Sequence, residues 1–191
     1  MLEINIQMIV GFITLCWIIT RLAVFLLKKE FNILRELQLI LVYICLVVIA
    51  RMVLLPLHLV DGHLGTIVFD ASRILPFWMN LKPFTFVNDF YDGWKTNVIG
   101  NIAMFIPVGI VWPFCFKKLN NPIKVTLVGF CYAVFIEISQ LPLYQRCTDI
   151  DDVILNTTGV IIGSIVYFLV KVIHGFIVED NSDSKKAITQ Q

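Results

Sequence analysis

Glu137, Gln140, Arg146, Asp149, Asp151, Asp152 and Asn156 fall within residues 135–163, at the junction of two strongly apolar runs. An ionisable or amide side chain placed among membrane-spanning residues is costly and is normally turned toward protein or water, which makes each a functional candidate. Glu137 and Gln140 are three apart and share a helical face, while Asp152, Asn156, Gly159 and Gly163 follow at spacings of four, three and four and form one stripe. Two carboxylates at different depths have the makings of an acid and base pair. An activated nucleophile is not visible beside them: Ser139 has no neighbouring histidine, Cys147 has no adjacent base, and the spacing of His58 and His63 marks no partnership. Glu137, Asp149, Asp152 and Asn156 offer hard oxygen ligands suited to magnesium or calcium, but their spacing matches no standard loop, so neither a metal nor a cofactor is expected.

The surrounding chain is 58% hydrophobic and 15% charged, with a mean hydropathy of +0.84, which excludes an ordinary soluble domain and indicates an integral membrane protein. A formal net charge of +1 and the lack of a basic, aromatic-interleaved stripe exclude nucleic acid as a partner. Cys16, Cys45, Cys115 and Cys131 lie in apolar runs and only Cys147 in a polar connection, a pattern of small apolar filler rather than of zinc or redox sites. The N-terminal run has neither a basic leader nor a small-residue cleavage pattern, so a retained helix is expected.

A transmembrane helix needs about 20 mostly apolar residues. Five segments qualify, near residues 4–27, 37–58, 97–116, 125–141 and 152–172, and predict an all-α, five-helix transmembrane bundle. Arg21 can snorkel from the end of the first segment, whereas Arg51 lies deeper in the second, as an interhelical ion pair or as a cation lining a polar pocket. Pro107 and Pro113 in the third free backbone carbonyls that neighbouring helices must satisfy, which places that helix inside the bundle. Asn97 and Asn101 share one of its faces. Between the second and third spans, residues 59–95 mix Pro76, Phe77, Trp78, Pro83, Phe84, Phe86, Phe90, Tyr91 and Trp94, as expected of an interfacial or re-entrant loop. Residues 1–174 then form a single transmembrane domain, followed by a polar tail expected to be disordered.

Lys28, Lys29, Arg35, Lys117, Lys118 and Lys124 flank the connections after spans one and three, which by the positive-inside rule puts the N-terminus outside and the C-terminus inside. The two aspartate-rich connections then lie outside. Counting back from Pro142 places Glu137 about 7 Å below the outer surface, and counting back from His58 places Arg51 about 10 Å below it. We therefore expect Arg51 to pair with Glu137, with Asn97, Asn101, Gln140, Asp152 and Asn156 completing an outward-facing polar pocket. Thr148 and Asp151 fit a capping box, and acidic residues at a helix start favour its dipole, so Thr148, Asp149 and Asp151, with Arg146 in the loop, read as cap and connection.

Four stretches together resemble the VanZ family of membrane proteins linked to teicoplanin resistance. They are Asn80-Leu81-Lys82-Pro83-Phe84; Asn97-Val98-Ile99-Gly100-Asn101 with Phe105-Ile106-Pro107-Val108-Gly109; Ile136-Glu137-Ile138-Ser139-Gln140; and the run from Thr148 to Gly159. They run in the family's order over about residues 75–170. The resemblance implies a multi-pass protein of the bacterial cytoplasmic membrane with a connection to lipoglycopeptide tolerance, and it supplies no catalytic residues. Three functions stay open. The first is a non-enzymatic pocket engaging an envelope lipid, a lipid-linked cell-wall intermediate or the lipoglycopeptide; the second is an enzyme modifying such a lipid. The third is a structural or regulatory subunit whose cluster locks the bundle. Oligomeric state is not legible.

Overall fold

Five helices are long and apolar enough to cross a membrane, and asparagine side chains begin three of them. Asn5 caps α1 (Ile6–Lys28), Asn32 caps α2 (Ile33–Leu54) and Asn121 caps α4 (Pro122–Gln140), each accepting from the backbone N–H three residues on. Pro122 follows its cap at the first helical position, where no intrahelical N–H is needed. α3 (Trp94–Cys115) runs unbroken through Pro107 and Pro113, and α5 (Ile150–Thr189) extends well past its apolar stretch. The polar tail expected to be disordered therefore continues this helix to Thr189. Neither proline nor glycine follows Gly175 to stop it. The computed structural model describes residues 2–29, 31–55, 59–60, 63–74, 79–85, 94–144 and 146–189.

The main packing is α3 on α5, with α4 also against α5 and α2 against α3. Glycine makes the first contact possible. A Cβ at Gly159 would lie 2.2 Å from the Ile102 carbonyl oxygen, and one at Gly163 would lie 2.2 Å from that of Ile106. The small-residue stripe thus lets two backbones touch, as close transmembrane packing requires. Around this seam Phe105, Val108, Val125, Ala133 and Val160 are fully buried. α1 buries no residue and leans on α2 through Trp17 against Tyr43, a Thr14–Tyr43 hydroxyl contact of 2.7 Å and the Arg21–Glu36 ion pair. Leucine, isoleucine and phenylalanine cover its outer surface, as suits lipid contact.

Short strands close one end. β1 (Leu2–Ile4) pairs antiparallel with β4 (Ile67–Phe69), β2 (Leu59–Val60) pairs with β3 (His63–Leu64), and a single 3-10 turn spans Ala71–Ile74. β5 (Met79–Asn80) pairs in parallel with β6 (Thr148–Asp149). Asp70 N–H donates to the Pro142 carbonyl at 2.8 Å and Tyr144 N–H to that of Val68 at 2.9 Å. The chain start, the α2–α3 connection and the α4–α5 connection therefore interlock on the same face, over a small core of Leu55, Ile67 and Leu143. Where it is described, the long connection is a strand-laced lid. Pro76, Phe77, Trp78, Phe86, Phe90 and Tyr91, which carried the expectation of an interfacial or re-entrant loop, lie outside the described residues.

Candidate polar site at one end of the bundle

Four helix ends converge beneath this lid. They bring Arg51 in the last turn of α2, Asn97 and Asn101 near the start of α3, Glu137 and Gln140 in the last turn of α4, and Asp151, Asp152 and Asn156 at the start of α5. Glu137 and Gln140 are each only 3% exposed although they end a helix, because β6 lies across it. The last carbonyls of a helix lack intrahelical partners. The Thr148 hydroxyl donates to the Glu137 carbonyl at 2.8 Å, and Asp149 N–H donates to Glu137 Oε2 at 3.0 Å. Glu137 Oε1 is buried with no hydrogen-bond partner among the described residues.

Asp152 Oδ1 accepts from Asn101 Nδ2 at 2.6 Å, and that nitrogen lies 3.4 Å from Asn97 Oδ1. Asn101 is buried; Asn97 is exposed at the margin. One turn further along α5, Asn156 is 1% exposed, and neither its Nδ2 nor its Oδ1 meets a partner among the described residues. Buried polar side chains are paired in the large majority of cases. Among the described residues, Glu137 Oε1 and both polar atoms of the Asn156 amide are fully buried atoms of this cluster that depart from that rule.

The expected Arg51–Glu137 pair is not formed. α2 stops at Leu54, ahead of Pro56, so Arg51 lies about 5 Å from its end rather than 10 Å deep. Glu137 also sits in the last turn of its helix rather than 7 Å below it. Arg146 instead reaches the end of α2, its Nη2 donating to the Leu55 carbonyl at 2.7 Å and tying the α4–α5 connection to that helix. Burial pushes the Arg146 guanidinium below its ordinary pKa; the charges of Asp152 and Glu137 oppose that shift and Arg51 adds to it. In sequence Arg146 is a loop residue of the α4–α5 connection. Its charge pattern alone could not say which carboxylates it would face.

The cap is also built differently from the expected box. Asp149 is the capping residue, with Oδ1 accepting from Asp151 N–H at 2.8 Å, while Thr148 turns away to Glu137. Asp151, 4% exposed, does more than favour a dipole. Its carboxylate accepts from the backbone N–H of Phe84 at 2.5 Å, from that of Thr85 at 2.8 Å and from the Thr85 hydroxyl at 2.6 Å. Phe84 is held at φ 64°, a left-handed backbone that a bulky side chain rarely adopts. Asn80 Nδ2 completes the clamp on Asp149 Oδ2 at 3.0 Å. Asn80 and Thr85 are thus site-supporting residues absent from the pocket expected from sequence; the Asn80-to-Phe84 motif was a visible sign of the first, and Thr85 lies just beyond it.

Beside the site, an apolar cleft of about 690 Å³ opens between α1, α2 and α4, its wall including Phe12, Leu54, Tyr132 and Phe135. Ile136 and Ser139, which flank Glu137 on α4, also line it.

The VanZ/LLP1 family model matches residues 39–171. Protein VanZ of Enterococcus faecium is 35% identical over 91 residues, which cover 48% of this chain and 53% of that protein, so the match spans about half of the curated relative. No solved structure matches the chain. The family match takes in more than half of the chain and all of the polar site from Arg51 to Asn156, and the chain belongs to the VanZ/LLP1 family.

Proposed function

We propose that the polar site binds the head of an envelope amphiphile, a lipid or lipid-linked cell-wall intermediate, whose chain lies in the adjoining apolar cleft. Engagement of that molecule connects the protein to tolerance of lipoglycopeptides such as teicoplanin. The observation that carries this reading is the pair of buried groups, Glu137 Oε1 and the Asn156 amide, that meet no partner among the described residues. A ligand supplies the partners they lack. The reading is one of binding rather than catalysis: the Ser139 hydroxyl is engaged with its own helix, donating to the Ile136 carbonyl. The site opens outward and the lysine-rich helix ends face the cytoplasm, in keeping with the distribution of basic residues.

Glu137→Gln tests it, because the amide oxygen retains the bond from Asp149 N–H while the charge is lost. Expressed in a susceptible bacterium, the variant should reach the membrane in normal amounts yet lose teicoplanin tolerance. Full tolerance in both Glu137→Gln and Asn156→Ala would rule the site out. A modified envelope lipid that depends on the protein would turn the assignment toward an enzyme.

A further inference from the structure

The opposite end of the bundle carries a larger cavity, about 1260 Å³, between α2, α3 and the start of α4. Lys28, Arg35, Lys117 and Lys118 stand among its lining residues, Val42, Leu46 and Val128 form its apolar part, and the described lining residues include no aspartate or glutamate. Arg35 is fixed in place: its Nη1 donates to the Cys115 carbonyl, and the guanidinium lies 5.7 Å over the Phe116 ring. Among the described residues the ion pair formed, Arg21–Glu36, includes none of these four cations. From Arg35 to Leu46 the cavity follows α2 for about 16 Å into the span. Cations at the helix ends and an apolar floor of that depth complement a phosphate joined to an acyl chain. A free phosphate would leave the floor unused.

We infer that this cavity is a binding site for an anionic diacyl phospholipid, with the phosphate at Lys28, Arg35, Lys117 and Lys118 and one chain along Val42, Leu46 and Val128. Basic pockets between transmembrane helices are suited to such head groups, each cation adding to the attraction. The site is separate from the polar cluster, and its occupancy does not depend on the function proposed there.

The test uses the full chain purified in an uncharged detergent, with lipid retention followed by native mass spectrometry and stability by thermal melting. Dioleoyl phosphatidylglycerol should bind at least about tenfold more tightly than dioleoyl phosphatidylcholine, and inorganic phosphate should not compete. The triple variant Lys28→Gln, Lys117→Gln, Lys118→Gln should lose that preference; all three side chains are exposed, so the fold is not at stake. Val128→Trp, also at an exposed position, should block retention while every charge remains. Equal retention of the two lipids, or a preference unchanged in the triple variant, overturns the inference. Competition by inorganic phosphate would instead assign the cations to a free anion and overturn it equally.

Discussion

Asp151 gathers three donors from Phe84 and Thr85, and so fastens the α2–α3 connection to the start of α5. Asp151→Asn presents one acceptor oxygen where a carboxylate presented two, and turns an amide N–H toward donors. Loss of charged hydrogen bonds of this kind costs about 2–3 kcal/mol; the expected result is a lower melting temperature with faster proteolysis around residues 80–85. Asn156 should behave in the opposite way. Removing a buried amide that has no partner relieves its desolvation cost, so Asn156→Leu should raise stability by about 1 kcal/mol while abolishing teicoplanin tolerance. A fall in stability would mean that the amide is already paired within the folded bundle. These residues were visible in the sequence as polar groups among apolar ones, but their ranking was not. Asp151 read as a dipole-favouring cap because its donors lie 66 and 67 residues away.

The α3–α5 seam is the element on which the site rests, since it fixes Asn101 against Asp152 at 2.6 Å. Two glycines in these helices make a controlled comparison. Gly159→Ala places a methyl group 2.2 Å from the Ile102 carbonyl oxygen, and the backbones must part at a cost of about 3 kcal/mol. Gly100→Ala meets nothing within 4 Å and should be neutral or stabilising by up to about 1 kcal/mol through helix propensity. Thermal melts of the two purified variants decide it; equal effects would remove the seam as a close-packed contact. The stripe of Asn156, Gly159 and Gly163 is legible in sequence because spacings of three and four repeat on a helical face. Helix ends were less legible. α2 stops four residues before the expected end, at Leu54, about one turn early.

At the scale of the molecule, the lid joins the chain start to both connections on the polar end, while the lysines gather at the other. Cys147, exposed in the α4–α5 connection, reports which end faces out. A membrane-impermeant maleimide should label it in intact cells, Cys147→Ser should abolish the labelling, and a cysteine at position 118 should react only after permeabilisation. The reverse pattern would invert the proposed orientation. Five spans, an interior third helix and a meeting of polar groups at the ends of spans two to five follow from the amino-acid sequence by itself, because hydropathy and helical spacing are local properties. Tertiary structure alone decided which charges meet. It tied Arg146 to the end of α2, made Asp149 the cap and Asp151 the clamp, and joined Asn80 to Asp149 through a parallel strand pair. Such pairings depend on where each helix stops and on backbone hydrogen bonds between distant segments, and a single turn gained or lost moves a side chain by about 5 Å, farther than a hydrogen bond can reach.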